Sequence, residues 1–262
     1  PSNPLTARVM ANRIWHYHFG RGLVSTPSDF GVRGTTPTHP QLLDLLAKHF
    51  IESDWSVKAM HRLILHSRTY RLAATEHADN LAKDPENHYL WRANRRRLDA
   101  EQLRDSILTF SGQLDHSRGG RHPFPHRLSY FYRQHEPFQE KYTSNRRSVY
   151  LMQPRIKKNP FLDLFDGPDG GLHVGDRKST ITTLQALYFL NSEFVHQQAA
   201  GISKRLPEQD RVQQLYQLIF NRPANVTEMA FAIRYFARGK DEKRWAGYVR
   251  SMLGSNEFLF VD

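Results

Sequence analysis

Apolar residues recur at helical spacing through the first hundred residues of the chain and again from residue 182 onward. The first predicted helix starts at a proline tolerated in a first turn, and Gly20 supplies its stop. One face of this helix is predicted to consist of Leu5, Val9, His16 and Phe19. The pattern therefore places the first histidine of the chain among apolar neighbours.

Later helix starts are predicted from cap residues followed three positions on by Gln or Glu. These pairs are Thr38 with Gln41, Asp99 with Gln102, and Asn225 with Glu228, and Ser56 is a further N-cap. Apolar stripes that support the helices include Leu42–Leu46–Phe50, Leu103–Ile107–Phe110, Val212–Leu215–Ile219 and Trp245–Val249–Met252. At least six helices are expected, and the apolar tail "NEFLFVD" is expected to dock on the body of the protein.

The middle of the chain breaks this rhythm, because residues 115–181 are rich in Gly, Pro, Arg, His and aromatic residues. The best strand candidate there is Arg146–Leu151, whose apolar residues alternate with polar ones. The predicted fold is mostly α, an irregular multi-helix domain with a long loop-rich middle segment and at most a small β element. The predicted parts are a helical segment 1–114, the basic and aromatic segment 115–181 and a helical segment 182–262, together forming one compact unit.

Net charge narrows the classes of partner. The chain has 262 residues, a formal charge of +11 and a pI near 9.9. This favours nucleic acid, anionic polysaccharide, lipid headgroups or an acidic protein, against the alternative of a surface that is merely basic. The absence of cysteine excludes disulfides and thiolate metal sites, and no stretch approaches the ~20 apolar residues that span a bilayer.

The stretch "RIWHYHFGRGL" raises the question of a metal or catalytic site. Two histidines at i and i+2 of one helix do not share a face, so no metal site is predicted. Because glycines turn the chain back after the helix, a candidate site consists of Arg13, His16, Asp29 and His39. Against this alternative, we expect His16 to pack in the core, hydrogen-bonded to Asp29 or to a loop carbonyl, while His18 points elsewhere.

A second group of candidates is basic. The predicted anion-binding residues are Arg95, Arg96, Arg97, Arg146 and Arg147. The first three precede a helix start, where the helix dipole disfavours cations. They need an offsetting group, either an internal carboxylate (Asp99, Glu101 or Asp105) or a bound phosphate, sulfate or carboxylate.

Seven segments in order resemble one known family. They are "NPLTARVMANRIWHYHFGRGLVSTPSDFG", "PTHPQLLDLLAKHF", "HRLILHSRTY", "RRRLDAEQLRD", "RRSVYL", "TTLQALYFLNSEFV" and "SNEFLFVD". Together they resemble the planctomycete-specific C-terminal domain of unknown function, which closes large exported proteins that begin with a cytochrome c-type module. The resemblance covers nearly the whole chain. The stretch "GGLHVGDRKSTITTLQAL" departs from the family, since relatives often carry a cysteine before the arginine and this chain does not.

The resemblance implies an exported protein, periplasmic or at the cell surface, with haem held only by another module and no cofactor in this domain. The leading hypothesis is a non-catalytic accessory or binding domain that recognises an anionic glycan or docks on a cytochrome-like module. The alternative is an enzyme domain whose His/Asp/Arg site acts on an anionic or carbohydrate substrate. Expected partners are the other domains of the full-length protein and anionic polysaccharide, whereas export makes nucleic acid the third choice.

Overall fold

The computed structural model describes residues 3–119, 144–151, 153, 158–171, 175–177 and 179–261. These residues form twelve α-helices and one small two-stranded sheet, so the prediction of a mostly α fold is confirmed. They divide at Arg96 into two compact units. The boundary predicted from the sequence between the first helical segment and the middle segment lies later, at residue 114. That the three predicted segments form one compact unit stays a prediction.

The first unit contains four helices, three of which enclose its core. Its helices are α1 (Pro4–Phe19), α2 (Pro40–Glu52), α3 (Val57–His66) and α4 (Ala78–Lys83), with a 3-10 turn at Thr69–Arg71 after α3. The core lies where α1, α2 and α3 meet, and Ala11, Trp15, Leu46, Phe50 and Met60 are buried in it. The apolar stripes of all three helices therefore face inward together.

Helix α1 has the predicted ends but a different buried face. Pro4 stands at its start, and Gly20 ends it with φ +76°. The residues in the core are Ala7, Ala11, Ile14 and Trp15, whereas Leu5 is 49% exposed. The prediction of a face through Leu5, Val9 and His16 is therefore wrong. Small alanines allow close helix packing, and a pattern weighted toward large apolar residues overlooks them.

The next two helices test the cap predictions. Helix α2 begins one residue later than the Thr38 cap implies, with His39 as N-cap and no side-chain cap hydrogen bond. Pro40 occupies the first helical position, which suits its fixed φ and makes its predecessor the cap. At α3 the prediction is confirmed, because the Ser56 hydroxyl accepts a hydrogen bond from the backbone N–H of Ala59 at 3.2 Å.

The second unit holds the remaining elements. Its helices are α5 (Ala100–Ser111), α6 (Pro160–Leu164), α7 (Thr183–Asn191), α8 (Glu193–Arg205), α9 (Arg211–Phe220), α10 (Val226–Phe236), α11 (Glu242–Leu253) and α12 (Asn256–Leu259). The two strands of the sheet are β1 (Arg96–Arg97), at the boundary between the units, and β2 (Phe260–Val261). Helix α8 packs between α5 and α11, and Ile107, Val195, Ile202, Val249 and Leu253 are fully buried there.

Two of the predicted capping boxes are present in this unit. At α5, the Gln102 side chain accepts from the backbone N–H of Asp99 at 3.0 Å, and at α10 Asn225 and Glu228 bond reciprocally. The C-terminal tail docks as predicted: Phe258 is buried, and the Leu259 carbonyl accepts from the backbone N–H of Leu98. Local cap chemistry thus predicts helix starts well in this part of the chain.

The predicted strand at residues 146–151 is wrong. Ser148–Tyr150 form a 3-10 turn, and Arg146 makes only an isolated bridge with Asp115. Two side chains of α5 hold this segment. The Arg104 guanidinium donates to the carbonyls of Ser144 and Arg146, and the Asp105 carboxylate accepts from the backbone N–H and the hydroxyl of Ser148. Side-chain anchoring replaces the strand pairing that alternation predicts.

Candidate anion-binding site

The last turn of α1 meets α3 through two histidines. Nε2 of His18 lies 2.7 Å from Nδ1 of His61, so the two half-buried rings share one hydrogen bond. One ring must donate and the other must accept, which requires at least one neutral imidazole. The Tyr70 ring contacts His18 edge-on, with centroids 5.5 Å apart, and contacts Phe19 in the same way. The histidine predicted to point away is the one that joins the two helices.

The end of α1 is also closed by a cation. The guanidinium of Arg96 donates to the Tyr17 carbonyl, and Asn94 donates to the Phe19 carbonyl at 3.2 Å. A positive charge at a helix C-terminus is stabilised by the helix dipole. Burial, then the neighbouring His61, then Arg96, lower the pKa of His18 below its ordinary value of 6.5. The surroundings of His18 therefore favour its neutral form.

Acidification is expected to weaken this contact. Because the folded state lowers the pKa of His18, the unfolded chain takes up the proton first as the pH falls. The stability due to the pair is therefore fully present above pH 6.5 and is lost as the pH falls from 6.5 toward the folded-state pKa. Melting temperatures at pH 7.5 and pH 5.0 should differ more for the wild type than for His18→Gln, which keeps a hydrogen-bonding group but does not titrate. An equal change in melting temperature in the two proteins would show that protonation of His18 does not weaken the contact.

Exposed cations extend from this pair along α3. Residues 57–71 contain Lys58, Arg62, Arg68 and Arg71 but no Asp or Glu. Lys58, His61 and Arg62 are neighbours at helical spacing, and Arg68 follows just after the helix ends. Within the part of the chain that the structure describes, Lys58, Arg62 and Arg68 have no acidic partner. We call these three residues, with Tyr70, the α3 face.

The aromatic ring of the α3 face is held in place while part of it stays accessible. Tyr70 is 39% exposed, and its edge contacts with His18 and Phe19 restrict its orientation. Arg71 closes the end of α3 by donating to the carbonyls of His66 and Ser67. An aromatic ring beside unpaired cations can stack on a sugar ring while the cations meet its anionic groups.

The residues of the His/Asp/Arg site predicted from the sequence do not belong to the α3 face, and each has its own surroundings. Arg13 is exposed on α1, and His16 is half-buried with its ring edge-on to Tyr17. Asp29 accepts from the backbone N–H of Gly31 at 2.8 Å and so closes its own turn. His39 lies 3.0 Å from the hydroxyl of Thr38 and edge-on to Tyr89. A joint site of Arg13, His16, Asp29 and His39 stays a prediction.

The arginines at the boundary of the two units have structural contacts. Arg96 closes α1, and Arg97 donates to the Thr180 carbonyl and, at 3.0 Å, to Oε1 of Gln185. The carboxylates proposed as internal partners hold other arginines: Glu101 binds Arg177 through two hydrogen bonds, and Asp105 lies 3.6 Å from Arg104. Arg95 is exposed and has contacts of its own.

Of the last two predicted anion-binding residues, Arg146 and Arg147, only the first has an acidic partner among the described residues. Nε of Arg146 lies 3.5 Å from a carboxylate oxygen of Asp115, so its charge has a partner. Arg147 is exposed, and the described residues provide no partner for it. The anion-binding role of Arg95, Arg96, Arg97, Arg146 and Arg147 stays a prediction.

The sequence does not single out the α3 face, because Lys58 and Arg62 are ordinary polar residues of an amphipathic helix and Arg68 and Tyr70 lie just after it. A signal was present: the 15 residues 57–71 hold four cations and no acid. The link from His18 to His61 spans 43 positions, so no local periodicity indicates it. The basic and aromatic cluster of the middle segment lies largely outside the described residues, since residues 120–143 are not among them.

Two further findings bear on the class of site. Among the described residues, no group of three or more His, Asp or Glu side chains could hold a metal ion. None of the described helices is both long enough and apolar enough to cross a membrane.

Comparison with known families identifies a family that matches most of the chain. The family model described as "PSD1: Protein of unknown function (DUF1553)" matches residues 1–236. That range covers most of the chain, so the chain belongs to this family. Searches of curated proteins and of solved structures found no match.

Proposed function

We propose that this PSD1-family chain is a non-catalytic binding module that recognises an anionic polysaccharide through the α3 face. The observation that carries the proposal is the set of three exposed cations, Lys58, Arg62 and Arg68, in the same segment as the partly exposed Tyr70, whose ring contacts His18. Unpaired cations keep their attraction for an external anion, whereas the guanidinium groups of Arg96 and Arg97 are engaged by protein carbonyls. The α3 face is therefore a better candidate than the arginines at the unit boundary.

The setting of the module is part of the same proposal. The sequence resemblance supports an exported bacterial protein with several domains, located in the periplasm or at the cell surface, whose haem belongs to a separate cytochrome-like module. An anionic cell-wall or surface polysaccharide is available there, and nucleic acid is scarce. The net charge of +11 adds long-range attraction for such a polymer.

The experiment is chromatography of the whole chain on immobilised heparin and on immobilised polygalacturonate, with neutral dextran as the blank. We expect retention on both anionic polymers and steep loss of retention as salt is raised, because exposed charges are screened. Replacing Lys58, Arg62 and Arg68 with Gln should weaken binding about tenfold, since each phosphate-, sulfate- or carboxylate-binding cation contributes a charge-assisted contact.

A charge-matched control separates the site from the overall charge. Arg234, Arg238 and Lys243 are also two arginines and one lysine, exposed, and distant in sequence from α3. Their replacement with Gln removes the same net charge and should leave most of the retention intact. Equal losses in the two triple variants would show that binding depends on net charge alone and would contradict the assignment to α3.

A further inference from the structure

The second unit contains a cavity of about 650 Å³ lined by residues of α9, α10 and α11. Small-ligand pockets typically have about 300–1,000 Å³. Its apolar wall is formed by Val212, Met229, Ile233, Phe236 and Trp245. Ile233 is 69% exposed, so this wall reaches the surface instead of closing into the core. The cavity thus offers an apolar recess that is open to solvent.

The rim of the cavity carries unpaired charges of both signs. Glu208 and Asp210 supply two carboxylates, and Lys240 supplies an ammonium group. All three side chains are exposed, and the described residues provide an ion-pair partner for none of them. A ligand with a single charge would meet a repulsive group at this rim whichever sign it carried.

One buried donor beside the cavity is also unused. The Arg211 guanidinium stacks over the Trp245 ring at 4.3 Å from the centroid and donates to the Ser203 carbonyl and to Glu242. Its Nε–H is buried and has no hydrogen-bond partner. A buried donor without an acceptor is costly, so an acceptor supplied by a ligand would stabilise this corner. Arg211 lines the cavity and is the first residue of α9.

We propose that this cavity binds a free α-amino acid with an apolar side chain. The ammonium group meets Glu208 and Asp210, while the carboxylate meets Lys240 and, once the Arg211 side chain shifts toward it, the Nε–H of Arg211. The apolar side chain lies against Met229, Ile233 and the other residues of the wall. A zwitterion with an apolar body is the small-molecule class that matches both signs of charge and the recess together.

Isothermal titration calorimetry of the whole chain tests this with L-phenylalanine and L-leucine as probes. Two comparison probes keep the phenyl body of phenylalanine but lose one charge: 3-phenylpropionate lacks the ammonium group and phenethylamine lacks the carboxylate. We expect saturable binding of an amino acid and about tenfold weaker binding of each comparison probe, because each leaves one rim charge unpaired. The proposal would be overturned if either comparison probe bound as tightly as L-phenylalanine. It would also be overturned if neither amino acid showed saturable binding.

Two substitutions at the cavity rim test whether the amino acid binds there. Lys240→Gln and Asp210→Asn should each lower the affinity about tenfold, and asparagine tolerates the positive φ of 51° at residue 210. Lys243→Gln is the matched control, because Lys243 is an exposed lysine that does not line the cavity, and it should keep the wild-type affinity. Wild-type affinity in both rim variants would place the amino acid elsewhere and overturn the assignment. Thermal melts confirm that each variant is folded.

Discussion

Replacement of Asn12 with alanine is expected to lower the free energy of unfolding by about 3–4 kcal/mol, because it removes two buried hydrogen bonds and leaves a small cavity. Asn12 is fully buried in α1. Its Nδ2 donates to the Val24 carbonyl and its Oδ1 accepts from the Val24 N–H, both at 2.9 Å. The side chain thus bonds to both backbone groups of one residue and fixes the turn that follows α1.

The turn that follows α1 packs closely against Asn12. A Cβ added at Gly22 would lie 2.4 Å from the Val24 carbonyl oxygen and 2.7 Å from Nδ2 of Asn12. Gly22 therefore packs directly against the Asn12 side chain, and no larger residue fits at position 22 without a shift. Denaturant unfolding measures the effect, with Asn80→Ala as control: Asn80 is exposed in α4, and its replacement should stay within about 0.5 kcal/mol of the wild type. A loss at residue 12 no larger than that of the control would contradict the anchoring role.

Replacement of Arg104 with methionine is expected to cost about 3 kcal/mol and to release the segment 144–150 from α5, since removing one member of a buried polar network leaves the others unsatisfied. The Arg104 side chain is 9% exposed. It donates to the carbonyls of Ser144 and Arg146 and, at 3.2 Å, to the Ser148 hydroxyl. Methionine fills similar space but offers no donor to these three oxygens.

Hydrogen exchange distinguishes this release from general destabilisation. Amides of residues 144–150 should lose protection well before those of the α8 and α11 core. Arg147→Met is the matched control, because Arg147 lies in the same segment, is exposed and has no partner among the described residues. Equal exchange in the Arg104 and Arg147 variants would show that the α5 side chains do not hold the segment.

The sequence predicted those features that depend on neighbouring residues. The boxes Asp99–Gln102 and Asn225–Glu228 are local hydrogen-bond patterns, and both are present. The cap at Thr38 failed because Pro40 sets the first turn of α2 one residue later. At the start of α2, the fixed φ of Pro40 prevails over the Thr38 side-chain cap.

Longer-range features were not predictable. The buried face of α1 rests on Ala7 and Ala11, whose small side chains contribute little to a hydrophobic pattern yet allow close packing with neighbouring helices. The role of His18 depends on His61, which only the fold brings near. The strand predicted at residues 146–151 failed because Arg104 and Asp105 satisfy its backbone groups instead of a neighbouring strand.

Hydrogen–deuterium exchange with and without a heparin oligosaccharide tests the proposed α3 face most directly, because it reports where the polymer contacts the chain. We expect bound oligosaccharide to slow exchange in residues 57–71, and we expect the Lys58/Arg62/Arg68→Gln variant to lose this protection. The Arg234/Arg238/Lys243→Gln variant should show the same protection as the wild type. Protection confined to residues beyond Arg97, or absent from residues 57–71, would contradict the assignment of anion binding to the α3 face.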